Sequence, residues 1–128
     1  MHHSAVQAWL DAYIHAWQTY DPAEVAALFA EDATYAYHPY DEPPVRGREA
    51  IVASWVEPDQ RDTPGTYSGQ YEPIAVEGLV AVARGTSRYF EADGSTLKRE
   101  FDNLFVIRFD ELGRCREFTE WFMERPDS

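Results

Sequence analysis

From Ser4 to Tyr20 the apolar positions are Val6, Trp9, Leu10, Tyr13, Ile14 and Trp17. That three-four spacing predicts one amphipathic helix, with Ser4 as its N-cap. Asp21-Pro22 predicts a second start: aspartate caps, proline takes the first helical position, and Glu24 follows in a capping-box pattern. Val25, Leu28 and Phe29 form the apolar face of this second helix, and Glu31-Asp32 end it. Thr34–Tyr37 reads as a short strand before the loop Pro39–Pro44. Arg46 to Trp55 reads as a third helix, with Ile51 and Trp55 one turn apart.

Beyond Trp55 the period changes from helical to alternating. Strands are predicted over Tyr67–Glu77, Leu79–Glu91, Thr96–Phe109 and Arg114–Glu124. The turns between them fall at Gly78, at Ala92-Asp93-Gly94 and at Asp110-Glu111-Leu112-Gly113. Helices first and strands after, joined by tight turns, argue for an antiparallel α+β layout instead of alternating βαβ units. Long twisted strands curl. Helices packed on the concave side would enclose a pocket, within one domain over residues 1–128.

Composition narrows what such a pocket can meet. The 128 residues carry 11 basic and 23 acidic side chains, a net charge of −12. Nucleic acid and anionic membrane are poor partners for that balance, since both favour a basic face. No apolar run approaches the roughly 20 residues of a membrane helix, and no leader-like apolar stretch follows Met1. Cys115 is the single cysteine. It cannot form an internal disulfide, and a cytoplasmic location is expected. His2 and His3 are set aside as terminal. No phosphate loop, nucleophile elbow or metal-ligand cluster is present, so neither cofactor nor metal is expected.

The remaining chemistry lies in a few polar residues among apolar neighbours. Tyr13 interrupts the apolar face of the first helix. Asp102 stands in Phe101-Asp102-Asn103-Leu104-Phe105-Val106-Ile107, sharing a face with Leu104 and Val106. If that face is the inner one, the carboxyl is desolvated. If it is the outer one, Asp102 stays wet. Glu120 lies between Phe118 and Phe122, free for chemistry or paired with Arg84 or Arg88 across the sheet. His38 ends the first strand, where it can carry a proton near neutral pH or simply be a surface residue.

The runs Phe29-Ala30-Glu31-Asp32-Ala33-Thr34 and Pro43-Pro44-Val45-Arg46-Gly47-Arg48-Glu49-Ala50-Ile51 resemble the nuclear transport factor 2-like superfamily. Arg108-Phe109-Asp110-Glu111-Leu112-Gly113-Arg114 resembles its last hairpin. The resemblance implies a cone-shaped domain of SnoaL-like or ketosteroid-isomerase-like type, a small apolar or aromatic ligand, and a homodimer. Measured against bacterial ketosteroid isomerases, Tyr13 matches the oxyanion-hole tyrosine. Asp102 matches the second donor of those enzymes, a carboxylic acid kept protonated by its apolar site. The place of the general base holds Tyr37 or His38, so His38 or Glu120 is the candidate proton carrier. Trp17, Phe29, Tyr35, Tyr37, Trp55, Phe118 and Phe122 are expected to shape the pocket. The resemblance also reaches SnoaL-like polyketide cyclases. It reaches limonene epoxide hydrolases too, where Arg84 matches an arginine and Glu120 an acid, but Thr86 stands in place of the other acid. Three functions follow as expectations: isomerase or cyclase chemistry beside a carbonyl, a non-catalytic binding module, or an epoxide hydrolase.

Overall fold

A computed structural model describes residues 1–57, 59 and 61–126. Helix α1 spans His3–Thr19, α2 Pro22–Ala27 and α3 Arg48–Val56. The strands are β1 Phe29–Ala36, β2 Val45–Arg46, β3 Tyr67–Glu77, β4 Val80–Phe90, β5 Leu97–Phe109 and β6 Cys115–Glu124, all but β2 in the expected order. They form one unclosed sheet in the order β2-β1-β6-β5-β4-β3. The architecture is thus α+β, helices against a curled and mostly antiparallel sheet.

Local chemistry explains most boundaries. Asp21 accepts a hydrogen bond from the Ala23 N–H at 2.9 Å and Pro22 opens α2, as its sequence predicts. Helix α1 instead starts at His3, so Ser4 lies inside it and its N-cap, His2, makes no side-chain cap. It ends on Tyr20 at φ 53, an uncommon left-handed cap for a non-glycine residue. Phe29 is not on α2 but opens β1, because the helix stops at Ala27. The hairpin β3–β4 turns at Gly78, φ 59, and β5–β6 turns at Gly113, φ 83.

Two pairings depart from the expectation. Strand β1 runs parallel to β6, with Tyr35 opposite Phe118, in a sheet otherwise antiparallel. Residues Val45–Arg46, expected within a helix or loop, add a short edge strand to β1. Both pairings depend on chain segments distant in sequence, which local alternation does not encode.

Alternation sets the two faces of the sheet. On β5, Asn103, Phe105, Ile107 and Phe109 are buried, while Asp102, Leu104 and Arg108 face out. Their partners Phe122, Glu120 and Phe118 on β6 share the inner face. Strand β3 lies tightly against β4 at Gly85, opposite Tyr71. A Cβ on Gly85 would sit 2.0 Å from the Gln70 carbonyl oxygen, so only glycine permits this approach. The Tyr71 ring packs against Gly85, and its hydroxyl accepts from Asn103.

Helix α1 closes the concave side. Val6, Leu10 and Ala16 are fully buried, and Trp9 Nε1 donates to the Leu28 carbonyl at 2.9 Å. Tyr13 stacks on Phe118 at 5.6 Å between centroids, and Trp17 stacks on Trp55 of α3 at 4.0 Å. Ring pairs of this kind stabilise by about 0.5–1.5 kcal/mol each beyond area burial. Among the described residues no helix is long and apolar enough to cross a membrane.

Candidate functional site

A cavity of about 150 Å³ remains between α1 and the inner face of the sheet. Tyr13 and Trp17 reach it from α1, and Tyr37 from the end of β1. Tyr71, Ser87 and Tyr89 line it from β3 and β4. Phe101 and Asn103 come from β5, Glu120 and Phe122 from β6. Phe122 is 46% exposed and marks the mouth.

Glu120 is the unusual member. It retains some exposed surface, yet its carboxyl is withdrawn from water, which raises its pKa from the ordinary 4.5 to about 8. No described residue donates a hydrogen bond to it or pairs with it. The arginines expected across the sheet serve other acids on the outer face: Arg84 lies 3.4 Å from Glu72 and Arg88 2.7 Å from Glu100. Arg84 pointing outward also removes the hydrolase arrangement, since it cannot act with Glu120 on one water. Thr86, paired with Asp102 in the ladder, faces out as well.

Asp102 corrects the sequence reading most clearly. It lies on the outer face, where Arg125 Nε and Nη2 donate to its two oxygens at 2.8 and 2.9 Å. That bond to Arg125 holds its carboxyl below the usual range, the opposite of the neutral acid expected. The inward residue of this strand is Asn103. Its Nδ2 donates to the Tyr71 hydroxyl and to Ser87 Oγ, both at 2.9 Å, and its Oδ1 has no partner among the described residues. Alternation alone offers the signal: Phe101, Phe105, Ile107 and Phe109 outweigh Leu104 and Val106 as an apolar set, and Asn103 shares their face.

Tyr13 stands at the cavity with its hydroxyl 3.4 Å from that of Tyr35. Burial, then the neighbouring tyrosine and Glu120, push it well above its usual pKa, so it remains a neutral donor. Tyr37, raised to about 12 chiefly by burial, exchanges a hydrogen bond with Ser54 Oγ at 2.8 Å. Of the other expected lining residues, Trp17 and Phe122 reach the cavity. Phe29, Tyr35, Trp55 and Phe118 do not; exposed by 0, 0, 0 and 1%, they form the core beneath it. Tyr71, Ser87, Tyr89, Phe101 and Asn103 line it unforeseen, because which strands face α1 across the cavity depends on pairings distant in sequence.

His38 sits outside the cavity, in the loop after β1. Its Nδ1 is 3.1 Å from Asp41 Oδ1, and its ring lies 4.9 Å from Tyr40 and 5.3 Å from Phe122. It borders a separate groove, lined largely by outer-face residues such as Leu104 and Trp121, that Asp102, Asn103 and Glu120 also border. Among the described residues no group of histidine, cysteine and acidic side chains is placed to hold a metal ion.

A sequence profile of the SnoaL-like domain family matches residues 10–118. The chain belongs to the SnoaL-like domain family. That family is part of the nuclear transport factor 2-like superfamily, whose cone fold agrees with the curled sheet. No curated protein matches the chain significantly. The SnoaL-like match runs from Leu10 in α1 to the inner residue Phe118 of β6, and so spans most of the cavity wall but neither Glu120 nor Phe122.

Proposed function

We propose that this SnoaL-like domain takes up a small apolar ligand and moves a proton on it without a cofactor, with Glu120 as the proton carrier. The observation that carries this reading is the unpaired Glu120 carboxyl on an aromatic wall. A carboxyl with a pKa of about 8 is poised between acid and base near neutral pH. Tyr13, a neutral hydroxyl on the same cavity, supplies a donor to the oxygen of an adjacent carbonyl as negative charge develops there. Cavities near 150 Å³ admit one benzene-sized ring, which favours single-ring ligands over fused polycycles.

The same reading keeps the chain cytoplasmic, consistent with the free, buried Cys115. It keeps a homodimer through the outer sheet face, where Leu104, Trp121 and Met123 are 38, 41 and 75% exposed.

The test is base-catalysed ring opening of 5-nitrobenzisoxazole. A base takes the ring C–H proton, the N–O bond breaks, and a coloured cyanophenolate leaves. The protein accelerates the reaction, its rate climbs through about pH 8 as Glu120 ionises, and Glu120→Gln removes the acceleration. Binding of the ring compound with equal, background rates in both proteins would leave a binding module in place of a catalyst.

A further inference from the structure

We infer that the cavity is a receptor for a small organic cation, an ammonium group carried on a single ring, with Glu120 as its counter-ion. The inference rests on the cavity being a ligand site, not on turnover there.

Three ligand classes compete, and the wall decides among them. Seven of its ten residues are aromatic. Aromatic faces carry negative potential and attract cations, more strongly when water is excluded. Glu120 is the wall's single formally charged group; no lysine, arginine or histidine lines it. An anionic ligand would meet a carboxyl and ring faces without a compensating cation. A neutral apolar ring would fill the same space, but only a cationic group carried on that ring would also give the Glu120 carboxyl a partner. An ammonium offers three N–H donors and a full charge to this wall. A net charge of −12 also favours the approach of cations over anions.

The proton balance is explicit. In the empty cavity near pH 7 the Glu120 carboxyl is neutral. When an ammonium enters, the carboxyl ionises, its proton leaves to solvent, and the ion pair remains. The other titratable groups facing Glu120 are hydroxyls: Tyr13 from α1, Tyr35 from β1, Tyr37 just after it, Tyr71 from β3 and Tyr89 from β4, all pushed up chiefly by burial and so neutral throughout. Strand β5 presents Phe101 and Asn103, which do not titrate, and α3 presents no ionisable group to the cavity. His38, paired with Asp41, stands at the mouth.

Titration calorimetry on the full chain with benzylamine, benzyltrimethylammonium and benzyl alcohol tests this. Both cations are expected to bind at least about tenfold more tightly than the alcohol at pH 8.5. Benzylamine affinity should rise about tenfold per pH unit below pH 8. Runs in buffers of different ionisation enthalpy should show close to one proton released near pH 7. Glu120→Gln should lose the preference for cations and keep the alcohol, and the proton release in the unaltered protein reads the same pairing without any substitution. Equal binding of alcohol and amine, or binding without proton release, overturns the cation inference and leaves the ligand site standing. Binding of none of the three overturns the ligand site and this inference with it.

Discussion

The two faces of the β5–β6 hairpin treat their acids in opposite ways. Outside, Asp102 and Glu100 lie in a ladder with Arg125 and Arg88, at N···O distances of 2.7 to 3.4 Å. Inside, Glu120 has rings for neighbours and no cation among the described residues. One residue of strand parity separates these fates, because successive side chains point to opposite faces. An acid's surroundings, more than its presence in a motif-like run, therefore decide what chemistry it can do. Paired acids hold their charge and contribute to the surface; the unpaired one has a proton to trade.

The sharpest way to break that comparison is kinetic. Glu120→Gln is expected to slow ring opening of 5-nitrobenzisoxazole by about a hundredfold or more, the usual scale for removing a positioned general base. Retained activity in this variant would transfer the chemistry to another group and end the contrast between the two faces.

Stability against pH sharpens it from the folded side. The folded pKa of Glu120, about 8, lies above its ordinary 4.5. The folded chain therefore holds this proton more tightly than the unfolded chain. The stability so contributed is complete below about pH 4.5 and is lost as pH rises through about 8. Between pH 5 and pH 8.5 the loss is on the order of 4 kcal/mol. Urea unfolding of the native chain and Glu120→Gln at both pH values should show the variant gaining on the native chain by that amount at the higher pH. An unchanged difference would place the carboxyl in water.

A smaller effect is expected at Asn103, which ties β5 to Tyr71 and Ser87 on the inner face. Asn103→Leu should cost about 1–3 kcal/mol, because two buried hydroxyls lose a donor. Urea midpoints check it. A stabilised variant would show that the unpartnered Oδ1 outweighs both bonds.

These contrasts also explain what the sequence made legible. The four long strands and their turns were readable because Gly78, Ala92-Asp93-Gly94 and Asp110–Gly113 announce themselves locally. The SnoaL-like resemblance fixed the helix-on-sheet arrangement. The face of β5 was harder: both parities hold apolar residues, and setting Asp102 inside required choosing Leu104 and Val106 over the larger set of Phe101, Phe105, Ile107 and Phe109. Glu120 was legible as an acid among aromatics, but not its lack of a partner, which depends on where Arg84 and Arg88 point. The parallel pairing of β1 with β6 and the close approach of Tyr71 to Gly85 bring distant segments together, and they bear on which rings line the cavity and which lie beneath it.

The smallest expected effect is on the outer acid. Asp102→Asn removes the charge that Arg125 grips with two hydrogen bonds, but it touches nothing on the inner face. Exposed pairs of this kind contribute little to stability in water. Ring opening and benzylamine affinity should therefore match the native chain. The hydrogen bond from Arg125 lowers the Asp102 pKa, so its contribution is present above the ordinary carboxylate range and is lost as pH falls through the lowered value. Any difference between Asp102→Asn and the native chain should accordingly vanish in acid, the reverse of the trend at Glu120. A rate loss in Asp102→Asn comparable to that of Glu120→Gln would mean that the outer face reaches the cavity after all, and the division between paired and unpaired acids would not hold.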